Sequence, residues 1–229
     1  MRQSDWKLIR ALPLFSDMSE ENFETLVGAA FLQRFPLHTT LINEGELPDF
    51  LHIVVDGSVE MFSAHNGHET TIEIMRPVTT FILAAVIRDA VYLKSARTLS
   101  PTQILMIPAQ TVRDVFGRDA EFARAIVNEL AERYRAVVLS LKNEKLRTSA
   151  ERLANWILKT DRQQGDHQRV ELMFDKRTLA SRLGMTPENL SRNLALLAKY
   201  GVKSSGRDIL IEDRSTLERF AKPNALIDG

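Results

Sequence analysis

Glu188, Ser191 and Arg192 stand on a segment beginning at Pro187 in which Leu190, Leu194 and Leu197 recur at helical spacing. At 100° per residue the three leucines fall within about 60° of one another, while Glu188, Ser191, Arg192 and Ala195 gather on the opposite side. The outward set is chemically pointed. A guanidinium can donate two parallel hydrogen bonds to the O6 and N7 of a guanine, and a carboxylate can accept from the N4 of a cytosine. Arg192 and Glu188 supply those groups, so the face is suited to reading base edges.

Such a face needs elements that hold it against a duplex. Asp175 to Gly184 reads as a short helix capped by Asp175 and closed by a glycine, with Lys176 and Arg177 in its first turn. Thr186 caps the second helix, and Pro187 takes its first position, where a missing N–H costs nothing. Two helices joined by Gly184-Met185-Thr186 form a helix-turn-helix, and the small Ala180 lies where the helices must cross closely. Beyond Tyr200-Gly201, residues 202–211 read as a wing whose Lys203 and Arg207 can meet phosphate.

Charge supports the division. The 229 residues carry 30 Lys+Arg and 30 Asp+Glu, a formal net charge of zero that at first argues against a nucleic-acid partner. Residues 149–229 hold 14 basic and 11 acidic side chains, leaving 16 and 19 for 1–148, so the balance is +3 against −3.

Upstream, Ala123, Val127, Leu130, Tyr134, Val137 and Leu141 are spaced by fours and threes, an apolar seam about 27 Å long at 1.5 Å per residue. The seam suits either a core helix or a helix paired with its twin across a two-fold axis; the flanking Glu129, Arg133, Arg135 and Lys142 suit the twin. The polar run 143–148 is a candidate hinge. The first hundred residues alternate short strands with turns. Asp56-Gly57 marks one turn, and Asn66-Gly67 is the strongest hairpin signal, so a small barrel or sandwich is expected. Ser19 to Asn22 opens an amphipathic helix through Phe23, Leu26 and Val27. There is no cysteine, which excludes disulfides, thiolate zinc and Cys-ligated iron–sulfur clusters. No apolar leader follows Met1, and the longest uncharged apolar run, 81–87, is too short for a membrane span, so a cytoplasmic chain without membrane contact is expected.

These motifs together resemble the CRP/FNR superfamily of bacterial transcription regulators along nearly the whole chain. Glu44-Gly45 and Val54-Val55-Asp56-Gly57-Ser58-Val59 match that family's barrel signature, and Glu188, Ser191 and Arg192 match the E-x-x-S-R pattern of its FNR-like branch. The resemblance implies an α+β fold. Its parts are an N-terminal jelly-roll β-barrel of the cyclic-nucleotide-binding type (1–118), a long dimerisation helix and hinge (119–145), and a C-terminal winged helix-turn-helix (146–229). It also implies a homodimer, RNA polymerase as partner, no enzymatic activity, and palindromic double-stranded DNA with TTG-type half-sites. The expected DNA contacts are Lys176, Arg177, Thr186, Glu188, Ser191, Arg192, Lys203 and Arg207.

The effector cassette departs from the nucleotide-binding pattern, F-x-G-E followed by R-S-A. Here Phe81 is followed by Ile82-Leu83-Ala84, and the later triplet is Lys94-Ser95-Ala96. Leu83 stands for the glycine, Ala84 for the ribose-binding acid, and Lys94 lacks the guanidinium's fork. A cyclic nucleotide is therefore not expected in the pocket formed by Phe81, Leu83, Ala84, Lys94 and Ser95. The apolar cassette is most similar to the nitric-oxide-responsive NnrR and DNR groups, which implies an activator of denitrification genes with haem as a possible sensor. His52 and His38 are the better placed axial ligands, since His65 and His68 flank a turn and His167 lies in a polar stretch. Two other readings are a cyclic-nucleotide regulator with a degenerate cassette and a cupin-type barrel enzyme. The latter lacks a paired His-x-His and Glu set.

Overall fold

The computed structural model describes residues 3–228. Its contacts divide the chain into two units, Met1–Arg133 and Tyr134–Gly229. The first begins with helices α1 (Gln3–Arg10) and α2 (Glu20–Gly28), the latter capped by Ser19. Eight strands follow: β1 (Phe31–Phe35), β2 (Thr40–Ile42), β3 (Phe50–Asp56), β4 (Val59–His65), β5 (His68–Met75), β6 (Thr79–Phe81), β7 (Ser95–Thr98) and β8 (Thr102–Pro108). Helix α3 (Leu83–Arg88) interrupts them after β6; α4 (Ala109–Arg118) and the long α5 (Ala120–Leu146) close the series.

The strands form two four-stranded sheets, ordered β1-β8-β3-β6 and β2-β7-β4-β5. Alternation along the strands sends side chains to two different cores. Val54 and Ile104 from one sheet meet Ile42, Val59, Met61, Met75 and Ala96 from the other, filling the space between the sheets. Their chain neighbours Ile53 and Leu105 turn the other way, onto Phe23 and Leu26 of α2, Val112 and Val115 of α4, and Phe122 and Ile126 of α5. Each fully buried side chain of this kind contributes about 1.5–3 kcal/mol.

Asn66 and Gly67, both at positive φ, close a hairpin in which His65 faces His68. Asp56-Gly57 does something different. The chain steps from β3 in one sheet to β4 in the other, and Gly57 (φ +85°) passes so close that an added Cβ would meet the Pro101 carbonyl oxygen at 2.5 Å.

In the second unit, α5 gives way at Arg147 to α6 (Ser149–Gln163), which Thr148 and Glu151 start with a reciprocal capping box. The hinge expected over 143–148 is thus helical as far as Leu146. There follow β9 (Arg169–Glu171), α7 (Lys176–Arg182), α8 (Pro187–Leu197), a short turn of 3-10 helix, β10 (Val202–Ser205), β11 (Asp208–Ile211), α9 (Arg214–Ala221) and α10 (Ala225–Asp228). Strands β10 and β11 form the wing hairpin, and β9, which the sequence reading did not mark, pairs with β11. Leu153, Ile157, Val170, Leu179, Leu190, Leu197, Ile209 and Leu217 are buried here. Asp161, fully buried, is paired with Arg214 and accepts the Arg169 N–H at 3.0 Å. Among the described residues no helix is long and apolar enough to cross a membrane.

Candidate functional site

The caps expected from sequence organise the reading face. Asp175 accepts the Thr178 N–H at 2.7 Å, and Thr186 accepts the Asn189 N–H at 3.2 Å. Between the two helices Gly184 takes φ +63°. The last carbonyls of the first helix are satisfied from outside it, because Arg152 of α6 donates to the Leu183 oxygen at 3.1 Å and to the Gly184 oxygen at 3.4 Å.

Glu188, Ser191, Arg192 and Ala195 are all exposed on α8. Among the described residues Arg192 hydrogen-bonds the Glu188 carbonyl, at 3.4 Å, which leaves most of its donors for another molecule. The Glu188 carboxyl is held below its ordinary range by its own backbone N–H and the Thr186 hydroxyl, so it remains an acceptor. Inward, Leu190 and Leu197 are buried as expected, but Leu194 is only half-buried. Asn193 is buried in its stead and donates to the Met185 sulfur at 3.5 Å. Lys203 and Arg207 are exposed on the wing, and Arg177 and Thr186 are exposed on the same helix-turn-helix. Lys176 is different: its ammonium donates to Ser204 Oγ at 3.0 Å and so ties the first helix to the wing.

The five cassette residues do not share one wall. Phe81 faces the core between the sheets, whereas Leu83 belongs to the core packed under the helices. Ile82 between them sits at φ +60°, and that left-handed step turns α3 outward. Ala84 is exposed on α3. Ser95 Oγ accepts the Glu44 N–H at 2.9 Å. Lys94 pairs with Glu73 at 3.6 Å; Glu73 also meets Arg133 of α5 at 3.5 Å, and Arg133 donates to the Thr80 carbonyl at 2.6 Å. The lysine that stands for the family's phosphate-binding arginine is thus paired within the fold. Nearby, Arg97 bridges buried Glu60 (2.7 Å) and Glu69 and lies over the Phe62 ring. Tyr92 closes the interior, and burial together with Asp49 pushes its hydroxyl up to about 12.

A haem, which the family likeness raises, finds no fitting ligand in either candidate histidine. His52 is 3% exposed, its ring stacked on Phe81 at 5.1 Å and set edge-on to Phe50, so its nitrogens are enclosed by the fold and out of reach of a haem iron. Its buried Nδ1 has no hydrogen-bond partner, and burial lowers the ring's pKa to about 4. His38 lies exposed on a turn. His65, His68 and His167 are exposed as well, and among the described residues no three His, Asp or Glu side chains cluster to hold a metal.

The seam of α5 divides. Phe122 and Ile126, unmarked in the sequence reading, are the residues that bury, and Leu130 turns partly onto them. Ala123 is half-buried, while Val127 (59%), Tyr134 (71%), Val137 (64%) and Leu141 (52%) stay exposed along one stripe. Asp119 caps this helix. It accepts the Phe122 N–H at 2.9 Å and, from the opening of α2, Ser19 and Asn22. Burial alone would raise its pKa, but these donors outweigh it and hold the carboxyl at about 2.

A β-sandwich joined by a long helix to a winged helix-turn-helix, with an exposed arginine and glutamate on the second helix, defines a two-domain DNA-binding regulator. Residues 32–119 match the cyclic nucleotide-binding domain family, and residues 151–220 match the Crp-like helix-turn-helix domain. The chain is 25% identical over 194 residues to the CRP-like cAMP-activated global transcriptional regulator of Mycobacterium tuberculosis, covering 82% of this chain and 87% of that protein. Among solved structures it shares its fold with FixK2 from Bradyrhizobium japonicum (21% identity, 86% of this chain and 99% of that one, TM-score 0.74). It also shares it with DNR from Pseudomonas aeruginosa (24%, 96% and 99%, TM-score 0.53). Both domain matches and the relatives indicate a CRP-like transcription regulator and not an enzyme.

Proposed function

We propose that this regulator is a homodimeric cytoplasmic activator. It reads TTG-type half-sites in inverted repeat, recruits RNA polymerase, and controls denitrification genes in response to nitric oxide or a related nitrogen oxide. The observation that carries the DNA reading is the exposed Glu188, Ser191 and Arg192 face, with Arg177, Thr186, Lys203 and Arg207 around it for phosphate. The stripe of Val127, Tyr134, Val137 and Leu141 supports a second copy as its cover, which would set two recognition helices about 34 Å apart in successive major grooves. A sensor answering a small neutral molecule is supported by the cassette, where Leu83 and Ala84 offer no partner to a ribose and Lys94 is taken by Glu73. A buried, unpaired ribose hydroxyl would lose about 1–3 kcal/mol.

The test is a promoter-binding and in vitro transcription assay with and without nitric oxide, on inverted TTG repeats and on scrambled duplexes. Gas-dependent activation restricted to the repeat is expected; indifference to the gas removes the sensing assignment. Val137→Glu should raise the dimer dissociation constant on the order of a hundredfold in sedimentation runs, because pairing would bury a lone charge.

A second reading, a cyclic-nucleotide-dependent regulator, is favoured by one observation: the M. tuberculosis relative is named as cAMP-activated. Calorimetric titration with cAMP and cGMP separates the two, since micromolar heat would restore the nucleotide.

A further inference from the structure

Where α5 passes into α6, a single residue lies between the helix end and the next cap. It is Arg147, and its side chain is only 6% exposed. Both ends of its guanidinium are engaged by Asp228 of α10. Nη2 reaches Oδ2 at 2.8 Å and Nη1 meets Oδ1, while further bonds run to Asn143 Oδ1 (3.2 Å) and the Lys222 carbonyl (3.3 Å). A bidentate arginine–carboxylate pair fixes orientation as well as distance. Two more ties converge on the same short segment: Lys142 of α5 donates to the Leu226 carbonyl, and Lys159 of α6 donates to the Asp228 carbonyl at 2.6 Å.

Helix α10 has four residues and buries none of them, and Leu226 is 73% exposed. A helix so short does not hold itself, and none of its residues is fully buried. Its order comes from polar ties to α5, to the elbow and to α6. The elbow is wired in the other direction too, because Arg152 donates to the Arg147 carbonyl at 3.0 Å as well as to the turn of the helix-turn-helix. A continuous set of bonds thus runs from the 224–228 segment through the elbow to the turn that precedes the recognition helix.

We propose that Arg147 and Asp228 form a clasp that fixes the angle between the end of α5 and the helix-turn-helix, and thereby sets the half-site spacing the regulator accepts. They are positioning residues, since neither belongs to the reading face. The inference rests on the dimeric reading above, because spacing has meaning only for two linked recognition helices. One base pair inserted between half-sites moves the second by about 3.4 Å and about 35° of helical turn, which a fixed elbow cannot follow.

The test uses the full chain and fluorescence-anisotropy titration on three duplexes: the inverted repeat, the same repeat with one base pair inserted, and a single half-site. The wild type should prefer the correct repeat over the lengthened one by about tenfold or more. Asp228→Asn should compress that ratio to about threefold or less while half-site affinity and melting temperature hold. The charge-reversed pair Arg147→Asp with Asp228→Arg should restore the preference. An unchanged ratio in Asp228→Asn overturns the clasp, and so does a parallel fall in half-site affinity and melting temperature, which would mark a purely structural role. Failure of the dimeric reading has its own signature: the wild type would sediment as a monomer and bind both repeats alike, and the clasp's role in spacing would fall with it.

Discussion

The recognition helix and the effector cassette carry similar residue types and treat them in opposite ways. On α8 the charged groups are exposed and bonded only within their own turn, while the leucines beneath them do the packing. In the cassette the charges are spent internally, Lys94 on Glu73 and Glu73 on Arg133, and the apolar residues split between two cores. A surface that binds a large polyanion can keep its binding groups apart from its stabilising ones. The cassette residues, drawn into two cores and internal ion pairs, serve the fold itself, so their chemistry cannot be altered without touching it.

That contrast can be broken by four substitutions. The largest effect belongs to the interior: Phe81→Ala should lower stability by about 3–5 kcal/mol in denaturant melts, since a buried ring leaves a cavity between the sheets. Arg192→Ala should leave the melt untouched yet relax discrimination at one base pair by about 1–3 kcal/mol; equal losses on specific and random duplexes would sink the reading-face assignment. Asp119→Ala should cost about 1 kcal/mol at neutral pH, the usual worth of a helix cap. Because the folded carboxyl titrates near 2 instead of 3.8, its stabilisation is complete above about pH 4 and is lost as pH falls towards 2; the variant's acid unfolding curve should lack that component. Smallest is Lys203→Ala, expected to weaken all duplexes alike and to reduce the salt-dependence slope by about 1.

What could be read from sequence followed the same division. The capping residues Asp175 and Thr186 and the hairpin turn Asn66-Gly67 act on neighbours a few residues away, so their types alone announce them. The split of Phe81 from Leu83 depends on a left-handed conformation at Ile82, a β-branched residue for which no local rule foretells positive φ. Likewise Asp119 works across 100 residues to Ser19, and Arg147 across 81 to Asp228, and only the folded chain brings those partners together. The α5 seam lies between the extremes. Its period was visible, but which turn sinks into the sandwich and which faces outward depends on where the strands end.

The placement of Leu83 also bears on descent. A lineage that replaced this buried leucine with glycine would empty the site at a cost of about 2–5 kcal/mol, a large part of a domain's margin. Change at this position is thereby ratcheted, and demands compensating substitutions first.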